Sequence, residues 1–284
     1  MENKLNSYIG FKFQALRITG SLFSCNCLEQ DILFKATTLI NLVKKGINVI
    51  LSKRIAGEPL HWLFKDTLVT VDFKGLLYHF YCAKGHDFNV YLNPYYHEYD
   101  VASFIFNVLR KDDVFIDAGA HGGLYTILSG KIVGSGGRTI AIEPNPDNLK
   151  FLEYNLKLNQ LDNITVIPKA ASDEKMKINI HYEQEKTALT STTKSARKTV
   201  EVETILLDEL TEHYNSIKIL KIDTEGYDFK ILKGAYRTLQ KTHYLVIEQN
   251  TPSVKNLLSK YGFSTNSIFP SGYLIAINKN APFK

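Results

Sequence analysis

The protein has 284 residues, of which 44% are hydrophobic and 22% are charged, as is usual for a globular chain that buries its own core. Its net charge of +5 is modest, and the lysines and arginines are scattered. This pattern excludes a concentrated duplex-binding face, so we expect no nucleic-acid partner. The three cysteines, Cys25, Cys27 and Cys82, complete no zinc pattern and fit a reducing compartment, and we predict a cytoplasmic location.

Residues 1–94 are predicted to form an N-terminal helical and β-hairpin extension, whose first 55 residues or so carry no chemical motif. Residues 1 to about 55 look helical, because apolar residues recur at helical spacing in the stretch 32–51. Three lysines interrupt this stretch, so we predict no transmembrane helix, and peripheral contact with a membrane surface is the alternative to packing on the protein body. Two β-rich runs, 68–73 and 76–81, flank Lys74-Gly75 and predict a hairpin.

Residues 95–284 are predicted to form the main α/β domain. A helix is expected at 98–110, and short apolar runs follow at 114–116, 139–142, 164–167, 217–222 and 244–247. Helical patterns such as 148–158 and 229–239 separate these runs, which indicates a parallel sheet covered by helices on both faces. Segments 175–180 and 199–203 predict an extra hairpin with a polar loop between them, and residues 263–278 predict two final strands.

A glycine-rich turn follows the first apolar run of this domain. The run ends in Asp117, and Gly119, Gly122 and Gly123 lead into a helix. Glycines let a ligand approach the main chain, and the start of a helix offers free N–H groups. Because ligands of open α/β sheets bind beyond the carboxyl ends of the strands, this turn is the first candidate for a nucleotide site.

An acidic residue, Glu143, ends the next strand of the predicted sheet. A carboxylate at this place accepts hydrogen bonds from the ribose hydroxyls of an adenosine group. The dinucleotide fingerprint Gly-x-Gly-x-x-Gly fails, because His121 stands two residues after Gly119. Asp117 would also repel a pyrophosphate, whereas it favours the cationic amino group and sulfur of S-adenosylmethionine. The sign of the charge therefore favours the methyl donor.

Several segments together resemble the FkbM-type methyltransferase family. The matching segments are residues 117–123, 142–146, 170–173, 221–228 and 232–235. The resemblance covers about residues 95–250 and implies a Rossmann-like class I methyltransferase fold with a mostly parallel seven-stranded sheet. The family most often has Asn and a bulky aliphatic residue where this chain has His121 and Gly122.

The resemblance also implies which residues bind the cofactor. The first segment matches the part that holds the methionine end, Glu143 matches the ribose-binding carboxylate, and Ala171 and Ser172 lie where the adenine edge is usually met. The residues expected to bind S-adenosylmethionine are Asp117, Gly119, Ala120, His121, Gly123, Glu143, Pro144, Ala171, Ser172 and Asp223. The implied reaction is methylation of a hydroxyl on a sugar, glycan or natural product.

Acidic and amide side chains follow the last two parallel strands. Asp223 and Glu225 come after one, and Glu248 and Asn250 come after the other, so these residues are expected to meet beside the methyl group. In one version a carboxylate or His121 acts as the base, and we name Asp223, Glu225 and His121 as catalytic candidates. In the other version Asp223, Glu248 and Asn250 hold Mg²⁺, which lowers the pKa of the acceptor hydroxyl.

The alternatives to these roles are structural. Asp223 and Glu225 are also suited to capping a turn and a helix, and a lone histidine is more often a surface residue than a base. Tyrosines at 91, 95, 96 and 99 either line the mouth of the site or cover the edge of the sheet. For the whole protein, the alternatives are a nicotinamide-dependent oxidoreductase and a non-catalytic binding module that keeps the fold.

Overall fold

The structure is a computed structural model that describes residues 47–53, 67–82, 98–183, 197–224 and 226–281. All of these residues belong to the second of the two units into which the chain divides, residues 42–284. Part of the sequence analysis falls outside the described residues: the helical prediction before residue 47, Cys25, Cys27, Tyr91, Tyr95, Tyr96 and Glu225. The boundary between extension and main domain at residues 94 and 95 stays a prediction.

The first described strands form an antiparallel sheet. Strands β1 (Ile47–Lys53), β2 (Thr67–Phe73) and β3 (Leu76–Cys82) pair in that order, which confirms the predicted hairpin. The prediction of a helix up to residue 51 is wrong, because β1 pairs residue by residue with β2. Apolar spacing in a short run does not separate a helix from a strand, and here the available strand partner decided the outcome.

A seven-stranded sheet forms the centre of the described part of the chain. Its strands are β4 (Val114–Ala118), β5 (Arg138–Ile142), β6 (Ile164–Ile167), β10 (Ile217–Ile222), β11 (Thr242–Ile247), β12 (Phe263–Ile268) and β13 (Leu274–Asn278). Their order is β12-β13-β11-β10-β4-β5-β6. The five strands from β11 to β6 are parallel, β13 runs antiparallel to them, and β12 pairs antiparallel with β13 and so runs in the same direction as the five. The predicted mostly parallel, seven-stranded α/β fold is confirmed.

A smaller sheet interrupts the alternation of strands and helices. Its strands β7 (Ala170–Ala171), β8 (Lys177–Glu183) and β9 (Arg197–Ile205) have the order β7-β9-β8. Strands β8 and β9 pair antiparallel, and β7 pairs parallel with β9. The predicted extra hairpin is therefore confirmed, and β7 connects it to the chain that leaves β6.

Helices connect the strands of the central sheet. They are α1 (Tyr99–Val108), α2 (Leu124–Val133), α3 (Pro146–Asn159), α4 (Leu207–Leu210), α5 (Asp228–Lys233), α6 (Tyr236–Gln240) and α7 (Pro252–Lys260). The helix predicted at 229–239 is in fact two helices. It breaks near Gly234, where the main chain of Ser172 lies too close to leave room for a side chain. Among the described residues, no helix is long and apolar enough to cross a lipid bilayer.

Helix α3 ties the antiparallel sheet to the central sheet. The side-chain oxygens of Asn159 and Asn155 accept hydrogen bonds from the main-chain N–H groups of His79 and Tyr81, both at 2.9 Å. Asn155 also donates to the carbonyl of Gly122, in the glycine-rich turn. Since these amides are buried and paired, the hairpin of β2 and β3 is fixed relative to the turn.

Candidate active site

A cavity of about 400 Å³ lies at the carboxyl ends of the central parallel strands. Strands β4, β5, β6 and β10 each contribute the residues that follow them. The cavity-lining residues from these four strand ends are Gly119, Ala120, His121, Gly122, Glu143, Pro144, Ala170, Ala171, Asp223 and Thr224. The predicted position of the site, beyond the strand ends, is the position of this cavity.

The acidic residues predicted to meet at this edge are held there by their own main chains. Each directly follows its strand, and its N–H group donates to the last carbonyl of the neighbouring strand. Asp223 N–H donates to Ala118 at 3.0 Å, and Glu143 N–H donates to Ile167 at 3.1 Å. Parallel pairing thus extends one residue past the strands and carries the carboxylates to the cavity wall.

The glycine-rich turn folds closely over the neighbouring strand ends. The N–H groups of Gly119 and Ala120 both donate to the carbonyl of Ile142, at 2.9 and 3.1 Å. Gly119 has a φ of 88°, and a side chain there would collide with the main-chain carbonyl of Asp223. His121 has a φ of 49°, a left-handed conformation that His and Asn adopt more readily than most residues. This shared tolerance accounts for His at a position where the resembling family most often has Asn.

Glu143 is buried and held by three donors. Its Oε2 accepts from the His121 N–H at 2.8 Å, and its Oε1 accepts from the Asn145 N–H at 2.8 Å and from Asn148 Nδ2 at 3.2 Å. Burial raises the pKa of Glu143, although these hydrogen bonds act in the opposite direction. The carboxylate is thereby fixed on the cavity wall, and its Oε2, which accepts only one of these bonds, can accept a further hydrogen bond from a ligand.

A buried lysine, Lys221, is a cavity-lining residue that the sequence analysis did not single out. It lies in β10 opposite Asp117 of β4, is only 1% exposed and yet reaches the cavity wall. Its Nζ lies 3.0 Å from Asp223 Oδ2, 3.7 Å from Asp117 Oδ1 and 4.8 Å from the ring centre of Tyr125. A lysine inside an apolar parallel strand was the available signal, because a buried charge needs partners of opposite sign.

Burial and the Lys221 ammonium together determine the pKa values of Asp117 and Asp223, and the two carboxylates in turn affect the pKa of Lys221. Burial raises the pKa of Asp117, and the nearby Lys221 only partly offsets this. Burial also works against the charge of Asp223, but the Lys221 ammonium and hydrogen bonds from Lys221 and Tyr273 lower its pKa overall. Burial alone would lower the pKa of Lys221, yet Asp223 and Asp117 raise it well above its ordinary value. At neutral pH Lys221 and Asp223 are therefore both charged.

Further residues reach the cluster from outside the segments that carried the family resemblance. Tyr273 precedes β13, and its hydroxyl donates to Asp223 Oδ2 at 2.8 Å. Glu98 precedes α1, lines the cavity and accepts a 2.7 Å hydrogen bond from the hydroxyl of Tyr125. The structure thus adds Glu98, Tyr273 and Lys221 to the site.

Three residues predicted to bind the cofactor stand behind the cavity wall. Asp117 is buried and accepts a 2.7 Å hydrogen bond from Thr126. Gly123 begins α2 with a φ of 93°, and a side chain there would collide with Leu152. Ser172 follows the cavity-lining Ala171, but its hydroxyl donates to Asp173 at 3.3 Å. In the structure these residues shape and support the wall, and they do not line it.

The structure does not support the Mg²⁺ site that was the second version of the chemistry. Asp223 and Glu248 do meet in a hydrogen bond, but Asn250 is not among the residues that line the cavity. Within the described ranges, no three His, Cys, Asp or Glu side chains are grouped so that they could hold a metal ion. The Lys221 ammonium lies 3.0 Å from Asp223 Oδ2 and supplies the positive charge beside this carboxylate that a metal ion would otherwise supply.

His121 lies on the rim of the cavity, whereas Tyr99 and two further histidines, His181 and His243, are not among the residues that line it. His121 is exposed and lines the cavity. His181 is hydrogen-bonded to Thr199 on the outer hairpin, and His243 is hydrogen-bonded to Ser216. Tyr99 packs edge-to-face on Phe73 of the antiparallel sheet, with ring centres 5.9 Å apart, which fits the covering role.

The strand order, the glycine turn and the carboxylate after β5 define a Rossmann-like α/β protein with a cavity at its strand ends, where such proteins bind their ligands. The model of the methyltransferase FkbM domain matches residues 117–264, more than half of the chain. The protein therefore belongs to the FkbM methyltransferase family and is a methyltransferase. Membership of this family decides against the nicotinamide-dependent oxidoreductase.

The chain is also similar to individual proteins and solved structures. The hexuronic acid methyltransferase AglP of Haloferax volcanii is 29% identical over 175 residues, which cover 59% of this chain and 70% of that protein. The crystal structure of methyltransferase FkbM from Methylobacillus flagellatus KT is 21% identical with a TM-score of 0.45, covering 66% of this chain and 52% of that chain. Precorrin-6y C5,15-methyltransferase from Geobacter metallireducens GS-15 is 16% identical with a TM-score of 0.40, covering 63% and 89%.

Proposed function

We propose that this methyltransferase transfers the methyl group of S-adenosylmethionine to a hydroxyl oxygen of a sugar or glycan. The observation that carries the choice of cofactor is the charge of the cavity. Among the described residues of its wall, three carboxylates, Glu98, Glu143 and Asp223, stand against the ammonium of Lys221. A negative cavity attracts the sulfonium and amino groups of the donor and repels a pyrophosphate.

The cofactor-binding residues have separate proposed roles. Glu143 accepts hydrogen bonds from the ribose hydroxyls, and Pro144 covers the ribose beside it. The turn from Gly119 to His121 lies against the methionine end, and Asp117 and Gly123 support this turn from behind. Ala171 faces the adenine, with Ser172 behind it.

The reaction is an in-line displacement. The acceptor oxygen forms a bond to the methyl carbon while the bond from carbon to sulfur breaks, and the sulfonium becomes a neutral thioether. The hydroxyl proton leaves to a base or to water. We assign Asp223 to orienting the acceptor hydroxyl, because a carboxylate with a lowered pKa accepts a hydrogen bond well but is a weak base. Glu225 and His121 stay the catalytic candidates for the proton.

The acceptor class rests on chemistry and on one relative. A similar protein is named a hexuronic acid methyltransferase, and the Tyr227 ring, 39% exposed on the cavity wall, offers the apolar face on which sugars stack. No observation favours a different acceptor class over a sugar.

The cofactor is tested by calorimetry with S-adenosylhomocysteine and with NAD. We expect micromolar or tighter binding of S-adenosylhomocysteine and no binding of NAD, and the reverse result would overturn the proposal. The acceptor is tested by transfer of a labelled methyl group to glycosides of glucuronic acid, galacturonic acid and glucose. Alkali-stable label on a sugar supports methylation of a hydroxyl, whereas alkali-labile label indicates a methyl ester and contradicts it.

A further inference from the structure

Two isoleucines of the interrupting hairpin stand on the cavity wall. Ile178 and Ile180 of β8 line the cavity beside Ala170 and Ala171 of β7, and we call these four residues the apolar end. Glu98, Lys221 and Asp223 form the charged end. The order of the strands puts Glu143, after β5, between the end of β10 and the chain that leaves β6. The apolar end therefore lies on the opposite side of Glu143 from Asp223.

The alternation of β8 directs both isoleucines to the same face of the hairpin. Ile178 and Ile180 are half-buried, whereas Lys177, Asn179 and His181 between and beside them are exposed. Successive residues of a strand point to opposite faces, so the polar residues face solvent and the isoleucines face the cavity. Branched apolar side chains facing an open cavity leave surface for an apolar ligand group to cover.

The hairpin is firmly attached at its base. Ala171 of β7 pairs with Ile205 of β9, so the wall of the cavity and the hairpin belong to one sheet. The Thr204 hydroxyl donates to the Glu174 carbonyl at 2.6 Å and accepts from the Met176 N–H at 2.7 Å. Nearer the other end of β9, Lys198 lies 3.6 Å from Asp147 at the start of α3. These contacts hold the isoleucine face in place before any ligand arrives.

We propose that Ile178 and Ile180 form a preformed wall on which the adenine ring of S-adenosylmethionine packs, an inference that rests on the proposed function. If Glu143 holds the ribose, the sulfur and methionine extend toward the charged end, and the base extends in the other direction. The base then meets the apolar end. A purine ring has two flat apolar faces, and covering half-buried isoleucines with one of them removes both surfaces from water. The hairpin is thus part of the nucleoside site.

The test compares wild type with the double variant Ile178→Ala and Ile180→Ala. Calorimetry measures the binding of S-adenosylhomocysteine and of 5′-methylthioadenosine, which keeps the nucleoside and lacks the amino acid. We expect both dissociation constants to rise by about tenfold and by the same factor, since the lost contact lies at the base. The matched control is Asn179→Ala on the solvent face of the same strand, for which we expect a change below about twofold.

Truncation to alanine could also unfold the hairpin, so a second double variant, Ile178→Leu and Ile180→Leu, conserves the volume and the apolar surface. We expect this variant to retain affinity within about threefold. Equal affinity of wild type and the alanine variant for both nucleosides would overturn the inference alone. A loss of affinity for S-adenosylhomocysteine without a matching loss for 5′-methylthioadenosine would also overturn it. Wild type that binds neither nucleoside would overturn the proposed function and this inference with it.

Discussion

The charged end and the apolar end of the cavity are built in different ways. At the charged end, Lys221 lies in β10 and Asp223 directly follows this strand, and register with β4 sets Lys221 beside Asp117. At the apolar end, Ile178 and Ile180 come from a hairpin inserted after β6. The first end depends on paired charges inside the core, and the second depends on apolar surface at its edge.

This difference predicts how each end responds to substitution. Removal of one member of a buried charge pair leaves the other without compensation, which costs several times more free energy than trimming a half-buried side chain. The charged end is therefore expected to govern folding as well as chemistry. The apolar end is expected to govern ligand affinity with little effect on stability.

The largest effect is expected from Lys221→Met. The variant leaves the Asp117 and Asp223 carboxylates buried beside each other without their shared cation. We expect the free energy of unfolding to fall by about 3–5 kcal/mol, measured by urea denaturation. The double variant Lys221→Met with Asp117→Asn removes one charge of each sign, and we expect it to recover at least about half of the loss. No recovery would contradict the assignment of Asp117 and Lys221 as an ion pair.

The next prediction separates two costs of a side chain at Gly119, the steric collision and the positive φ. Gly119 and Gly134 both have positive φ, at 88° and 66°, but a side chain collides with Asp223 only at Gly119, and Gly134 faces open space. We expect Gly134→Ala to lower the free energy of unfolding by about 1–2 kcal/mol, and Gly119→Ala to lower it by a further 1–3 kcal/mol or so. Equal losses in thermal or urea unfolding would show that the close approach at Gly119 does not matter.

At the boundary between the two ends, Glu143→Ala tests the ribose site. The substitution removes the acceptor of the ribose hydroxyls and also frees the donors of His121 and Asn145. We expect affinity for S-adenosylhomocysteine to fall by about 1–3 kcal/mol in calorimetry. Glu153→Ala, on the exposed face of α3, is the control and should bind as wild type does. Unchanged affinity in Glu143→Ala would remove this residue from the site.

The smallest effect is the pH dependence of Asp223. Its pKa is lowered from the ordinary 3.8, so the charged carboxylate stabilises the fold above pH 3.8, and this contribution is lost as the pH falls through the lowered pKa. The difference in unfolding free energy between wild type and Asp223→Asn should be constant from about pH 5 to 8 and should shrink in acid. A difference that grows in acid would mean that burial outweighs Lys221.

Turnover of Asp223→Asn should fall more than its affinity for S-adenosylhomocysteine.

The sequence was most informative where local patterns and function coincide. Apolar runs predicted the strands from β4 to β13 except the two-residue β7. Gly119, Glu143 and Asp223 were placed at one edge of the sheet because parallel strands share a direction. It was least informative before residue 54, where the Ile47–Lys53 strand was taken for a helix. A short apolar run has no conformation of its own until a partner strand pairs with it.

By itself the sequence determined the fold class, the family and the strand ends that carry the site, because these depend on periodicity and on residues next to one another in the chain. Only the tertiary structure decided which side chains face the cavity. It placed Asp117 behind the wall beside Lys221, and it brought Glu98 and the isoleucines of β8 to the cavity. It also set the Tyr273 hydroxyl on Asp223. Such contacts join residues that are far apart in the chain. They form only in the folded protein, because burial there makes it favourable to pair charges and to cover apolar surfaces.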